Sequence, residues 1–273
     1  MLDLLQHDFF RHALLACLFG GGGLAVIGVF MTLMEIPFLG ISMSHSAFLG
    51  AIAGLLFGFN PLIGALIVCG ISGLIVGPLA DKAGSSSNSI LAVLFSATMG
   101  LAFLLLSRIK GPKSEALNLI WGSILTITRS EIVILGSVFI IALILLLVFY
   151  KEITAVLFNR EMAAVSGISE KFFYYGVIFV AGMLISASLN IVGGLLIFSL
   201  LANPPGAAFQ LTYRLKYMFI LSALFGVLSC LAGLAVSYWF DVPTGAVIVL
   251  CSSAIYLVAF LFSPKRQSRV GNS

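Results

Sequence analysis

Charge is what this sequence has least of. Only 9% of its 273 residues are Asp, Glu, Lys or Arg, against about 25% in an ordinary water-soluble domain. Hydrophobic residues reach 61% and mean hydropathy is +1.19. A chain this apolar could not keep a water-facing surface free of large patches, which excludes a soluble globular fold and makes lipid its solvent. Charge is also missing in long unbroken stretches: between Arg11 and Glu35, Glu35 and Asp81, Lys82 and Arg108, Glu131 and Lys151, Lys171 and Arg214, Lys216 and Asp241, and Asp241 and Lys265. A helix crosses the hydrocarbon core with roughly 20 apolar residues, so each gap holds a span and the two longest have room for two.

Cysteine is scarce and scattered. Cys17, Cys69, Cys230 and Cys251 lie inside apolar runs with no CxxC pair, which excludes a disulfide or metal framework and leaves them as small packing residues. Leu14-Leu15-Ala16-Cys17 has the form of a lipoprotein cleavage box. However, Asp3 and Asp8 precede it against a single Arg11, and the apolar run continues past Cys17, so the segment reads as a first span and not as a removed signal. Catalytic signatures are also missing: there is no phosphate-binding glycine loop ending in Lys-Ser/Thr, no His-Glu-x-x-His and no Gly-x-Ser-x-Gly. No cofactor is therefore expected in this chain, and ATP, if used, is bound by another subunit. The formal net charge of +4 reports orientation in a membrane, not nucleic-acid binding.

What is present is an all-α polytopic membrane protein of eight or nine spans in one domain, 1–273. The spans expected are 11–34, 41–59, 61–79, 89–107, 131–150, 172–188, 191–202, 217–240 and 242–262. The seventh is short enough to be a half-helix or a re-entrant segment. Asn60-Pro61 and Asn203-Pro204-Pro205-Gly206 are the two clearest expected breaks, and short apolar pieces cut by Pro and Gly are where transport proteins interrupt helices around a substrate path. Gly50, Gly54 and Gly58, then Gly73 and Gly77, recur at the four-residue spacing of ordinary close helix packing. The run Gly20 to Gly23 implies local flexibility or very tight packing. Basic residues collect at Lys151, Arg160 and Lys171, at Arg214 and Lys216, and at Lys265, Arg266 and Arg269. The positive-inside rule puts these segments and the C-terminus in the cytoplasm, and nine spans then leave the N-terminus outside. The basic loop from Arg108 to Lys113 conflicts with that count, so either the count is off by one or the loop breaks the rule.

Ionisable side chains inside spans are rare, which gives each one functional weight. His45 stands out, within Gly40-Ile41-Ser42-Met43-Ser44-His45-Ser46. On a helix Ile41 and His45 share a face one turn apart, with Ser42 beside them. Two readings are open: a pathway or metal-binding imidazole, or a structural histidine bonded to a neighbouring helix. Ser44 and His45 point about 100° apart on a helix, which places them poorly as a hydrolytic dyad. Asn190, in Asn190-Ile191-Val192-Gly193-Gly194, either faces a pathway or caps a broken helix. In the loop Lys151–Lys171, Asn159-Arg160-Glu161-Met162-Ala163-Ala164-Val165-Ser166-Gly167 reads as a short charged helix ended by glycine, a docking surface for a cytoplasmic partner or a merely solvated loop.

The order Phe38-Leu39-Gly40…Ser44-His45-Ser46, Asn60-Pro61, Gly122-Ser123-Ile124-Leu125, Arg160-Glu161-x-Ala163-x-x-x-Gly167, Val192-Gly193-x-Leu195-Leu196 and Asp241-x-Pro243-x-Gly245-Ala246 resembles the permease family of zinc, manganese and iron ABC importers, over roughly residues 11–262. The resemblance implies a multi-pass permease in the cytoplasmic (inner) membrane of a prokaryote. Its implied partners are cytoplasmic ABC ATPase subunits, an extracytoplasmic solute-binding protein, membrane lipid and a second permease copy, most simply in a homodimer. It places His45, with Ser42, Ser44 and Asn190, along the path of a transported divalent metal, and makes Arg160, Glu161, Ala163 and Gly167 the element that couples to the ATPase. The family usually reads Gly-Asp-x-x-Ser-His, and Ile41 stands where that aspartate would be. The remaining ligands are neutral and hold a bare dication weakly. A different metal, a chelated metal, or ligands elsewhere such as Glu35 therefore enter as alternatives. A permease for another small solute, an intramembrane enzyme using His45 and a non-transporting scaffold are the rival readings.

Overall fold

The computed structural model describes residues 8–83, 86–109 and 127–265, and every regular element among them is a helix. The first span is α1 (Asp8–Ala16), a π-helical turn (Cys17–Gly22) and α2 (Gly23–Leu33). Then come α3 (Phe38–Phe57), α4 (Pro61–Ala83), α5 (Ser87–Arg108), α6 (Arg129–Val148), α7 (Tyr150–Phe158), α8 (Arg160–Val165), α9 (Glu170–Val192), α10 (Gly194–Leu211), α11 (Leu215–Phe240) and α12 (Thr244–Leu261). Eight of the helical stretches are long and apolar enough to span a membrane, and the shorter apolar helix Leu196–Leu211 is a ninth pass, in line with eight or nine expected spans.

Local chemistry sets the boundaries. At Asn60-Pro61, Asn60 Oδ1 accepts from the Leu62 amide at 2.9 Å, and Pro61 opens α4 where its missing donor costs nothing. Gly58 makes the preceding turn at φ 77, a conformation open to glycine without strain. Thr128 and Glu131 form a reciprocal capping box at the start of α6.

The second expected break is not one. Helix α10 runs straight through Asn203-Pro204-Pro205-Gly206, and the chain breaks instead at Gly193, with φ 81 and ψ 150. Proline in a helix interior leaves carbonyls one turn back without donors. One of them, on Leu201, lies against the backbone of Gly28 in α2, so closely that a β-carbon on Gly28 would collide with it. The neighbouring helix covers what the prolines leave open. The expected span 191–202 is correspondingly too early and too short.

Helix α3 packs against α4 and α5, α4 against α9, and α10 against α12, α2 and α11. The α3–α4 contact is backbone on backbone: a β-carbon on Gly50 would meet the Gly64 carbonyl, and one on Gly54 would sit 2.8 Å from the Pro61 Cα. Close approach of this kind replaces the hydrophobic drive that lipid does not supply. The glycine run in the first span serves tight packing too, since Gly21 lies against Gly226 of α11. Cys17 is fully buried within that span. Outward, Ile63, Ile67, Ile71 and Leu74 of α4 form a stripe 49–58% exposed together with Ile75, a face suited to acyl chains and costly in water.

One end of the bundle gathers the ends of α2, α4, α10 and α12 with the starts of α3, α5 and α9. Asn88 bonds Glu35, Arg160 bonds Asp81, Ser87 bonds Tyr174, and Ser263 bonds Gln210 there. Lys82, Lys171, Arg214 and Lys265 lie at the helix boundaries of this end, the one that the positive-inside rule assigns to the cytoplasm. Because α10 returns the chain to this end, Arg108 at the far end of α5 lies opposite. Arg108, and not the span count, is what departs from the positive-inside rule. Residues 110–113 of the loop that follows, like Gly122 to Leu125, lie outside the described residues.

Candidate functional site

His45 sits midway along α3 on a half-buried face that it shares with Ile41 and Leu49, as the one-turn spacing requires. Its ring packs on Phe95 of α5, centroids 4.9 Å apart and planes at 59°. Phe95 also meets Phe38 edge-on at 6.0 Å. Among the described residues the imidazole has no hydrogen-bond partner, so nothing there bears out the structural-histidine reading. The Ser44 hydroxyl donates to the Ile41 carbonyl at 2.9 Å and not to His45, so the hydrolytic dyad is not formed.

The neighbouring serines divide. Ser46 donates to the Ser42 carbonyl at 2.9 Å, the usual way a helical serine in an apolar setting satisfies itself. Ser42, fully buried, leaves its own hydroxyl oxygen without a partner among the described residues, and so does Ser186 of α9. Unpaired buried hydroxyls are uncommon and each one needs a reason. Ser186 carries no local sequence mark to separate it from Ser188, which back-bonds to Leu184 at 2.8 Å. Met43, next to Ser42 in the chain, and Cys69 of α4 have their sulfurs 3.9 Å apart, and the Cys69 thiol donates to the Gly182 carbonyl at 3.1 Å. Asn190 lies within helix α9, three residues before the Gly193 break, and not between two spans; its side chain lies outside the described residues. Among the described residues no three His, Cys, Asp or Glu side chains gather closely enough to hold a metal ion.

At the cytoplasmic end, α8 has the capped form expected of it. Asn159 Oδ1 accepts from the Met162 amide at 2.9 Å. At the other end Gly167, φ 82, closes the helix with Gly167 N–H to Ala164 O and Ile168 N–H to Ala163 O, both 3.0 Å, the paired bonds of a glycine C-terminal cap. The residues expected to couple take different roles. Arg160 turns inward: its guanidinium forks onto the Asp81 carboxylate at 3.3 and 3.2 Å, donates to Glu170 at 2.9 Å, and lies 4.2 Å from the Tyr174 ring centre. The Tyr175 hydroxyl donates to the same Asp81 carboxylate. Arg160 beside it holds the Asp81 carboxyl below its ordinary range, against the opposing pull of burial. Ala163 is buried, and Gly167 shapes the cap. Facing out are Glu161 with Met162 and Val165, the last two 64% and 86% exposed, and Phe158 just before them. Sequence reasoning missed these apolar three, although their place on a cytoplasmic helix was the available signal.

Comparison with known proteins fits this arrangement. Residues 6–263 match the model of the ABC 3 transport family. The manganese transport system membrane protein MntC of Halalkalibacterium halodurans is 30% identical over 264 residues, covering 97% of this chain and 90% of that protein. The "Probable iron transport system membrane protein" of Haemophilus influenzae is 27% identical, over 97% and 95% of the two chains. Among solved structures, PsaBC from Streptococcus pneumoniae in complex with Fab superposes with a TM-score of 0.88 at 25% identity, covering all of this chain and 98% of that one. The chain is a multi-pass membrane protein and belongs to the ABC 3 transport family.

Proposed function

We propose that this chain is the transmembrane permease of an importer that moves a divalent transition metal, of the manganese, iron or zinc class, across the cytoplasmic membrane of a prokaryote. ATP is bound and hydrolysed by separate cytoplasmic subunits, an extracytoplasmic binding protein delivers the metal, and a second copy of the chain completes the permease. The observation that carries this reading is the capped helix α8, which presents Glu161, Met162 and Val165 outward at the basic end while Arg160 ties it to α4 and α9. An exposed apolar patch on a rigid cytoplasmic helix is suited to a protein partner. His45 and Ser42 on α3, with Ser186 on the packed helix α9, offer neutral nitrogen and oxygen donors to a passing cation. One imidazole per chain makes a weak site, and a second copy supplies another.

Closure of the ATPases would push α8, and the Asp81–Arg160 contact would carry that displacement into α4. Helix α4 is locked backbone to backbone onto α3, the helix that bears His45. Val165→Asp places a charge in the outward patch without touching the clamp, and is expected to abolish co-purification with the ATPase subunits while leaving the chain folded in detergent. Undiminished co-purification would exclude α8 as the docking element.

A further inference from the structure

At the cytoplasmic end of the bundle lies a cavity of about 540 Å³, between the end of α2, the start of α5, and helices α10 and α12. Its polar lining residues are Thr32, Glu35, Asn88, Asn203 and Tyr256, and no lysine or arginine among the described residues lines it. The hydrogen bonds around these side chains all run in one direction. Asn88 donates its side-chain amide to the Glu35 backbone carbonyl at 3.0 Å, and its own side-chain oxygen is buried without a partner among the described residues. Asn203 Nδ2 is within 3.0–3.1 Å of the Ser199, Ser252 and Ser253 hydroxyls. The Ser252 and Ser253 hydroxyls each donate to the Val249 carbonyl, oxygen to oxygen 2.8 Å, and so accept from Asn203, which assigns the nitrogen end of the carboxamide from the network. Thr32 gives its proton to the Gly28 carbonyl at 2.9 Å. Thr32, Asn88 and Asn203 thus each spend an N–H or O–H on the protein and keep oxygen lone pairs in hand, while Tyr256 of α12 adds a phenol to the lining. Glu35 adds a carboxylate with no salt bridge among the described residues. Its backbone sits at φ 56, a strained conformation for a residue other than glycine, and strain of this kind gathers at functional positions.

We infer that this cavity is a cation-binding vestibule, in which Glu35, Asn88, Asn203 and Thr32 hold a hydrated divalent ion by oxygen donors alone. Oxygen-only ligation with one carboxylate suits manganese and other hard dications over ions that prefer nitrogen or sulfur. An ion with six waters occupies roughly 200 Å³ at about 30 Å³ per water, so the cavity admits the hydrated ion, and the carboxylate and side-chain oxygens then replace part of its shell while the other waters stay. The placement fits release: Pro37, at the start of α3, lines the cavity, and His45 lies eight residues further along that helix, about 12 Å at 1.5 Å per residue, with Phe38 and Phe95 between them. Leu201 both lines the cavity and touches Gly40, joining the two levels. The assignment rests on the transport reading for its purpose, but its binding test does not.

The test is Mn²⁺ binding to the full-length chain in lipid nanodiscs, with Mn²⁺ alone as the probe and the free ion counted by electron paramagnetic resonance. The wild type is expected to hold the vestibule ion, while Glu35→Gln loses at least about tenfold in affinity through loss of the one carboxylate ligand. Glu35→Gly removes the carboxylate and also relieves the left-handed backbone, so it serves if the glutamine variant does not fold, with the same expectation. Affinity equal to wild type in whichever variant folds, or no binding by the wild type, overturns the vestibule. Binding that behaves as expected in a protein that performs no ATP-driven uptake would instead leave the site standing and remove the transport reading.

Discussion

Replacement of His45 by alanine is expected to reduce ATP-driven metal uptake to background in a protein that still assembles with its ATPase. The ring is half-buried, packs only on Phe95 in the aromatic contacts at this level, and has no hydrogen-bond partner among the described residues. Its removal therefore leaves no buried polar group stranded, and the stability cost is that of a partly exposed side chain. The functional cost is larger, because it removes the imidazole nitrogen that the pathway reading makes a metal donor. Loss of residues that merely orient a metal ligand already costs 10–100-fold in affinity or activity, so loss of the ligand itself should exceed about tenfold. Radioactive metal uptake into proteoliposomes checks it, with elution of the assembled complex as the control. Ile41→Asp is the companion experiment. Ile41 occupies the same half-buried face one turn away, so a carboxylate there should tighten metal stimulation of ATP hydrolysis. Unchanged metal preference and affinity would take position 41 out of the path.

The second large effect is expected at the Asp81–Arg160 clamp. The pair is about one-third exposed on each side, and exposed pairs contribute only about 0.2–1 kcal/mol. Its importance therefore lies in registration more than stability: α8 is tied to a helix end 79 residues away in sequence. Asp81→Asn is expected to leave ATP hydrolysis running while lowering metal transported per ATP several-fold. Arg160→Ala should cost more, because Glu170 and Tyr174 lose their partner too. The double variant should be no worse than Arg160→Ala alone, since both changes remove the same contact. Additive losses would show that the residues act independently. A melting temperature that falls in step with transport would mark the clamp as merely structural. The lowered Asp81 value also gives a pH sign: the contact is at full strength above the ordinary aspartate pKa, about 3.9, and fades only as acidification passes the lower folded value.

The spans were legible because charge in lipid is costly at every position, so the gaps between charges already draw the helices. Asn60-Pro61 was legible for a local reason, the capping of a helix by the residue before its first proline. Pro204-Pro205 was misread because the penalty for proline in a helix depends on what reaches the freed carbonyls, and here a glycine 177 positions earlier does. The same distance effect limits the site. His45 and its shared face with Ile41 follow from helical spacing alone. Ser42 and Ser44, two residues apart, differ only in whether the hydroxyl finds a carbonyl, which periodicity does not encode. Arg160 reads locally as part of a docking motif, yet its partner Asp81 lies at the end of another helix. Asn203 looks like part of a break, and becomes an aligned oxygen donor only once α12 brings Ser252 and Ser253 beside it.

The most direct test is uptake of manganese into proteoliposomes that hold this chain with its ATPase subunits, measured with and without ATP and the metal-loaded binding protein. Accumulation that requires ATP, and is lost in His45→Ala while ATP hydrolysis persists, is the expected result. Wild-type vesicles that hydrolyse ATP yet gain no manganese, iron or zinc would contradict it.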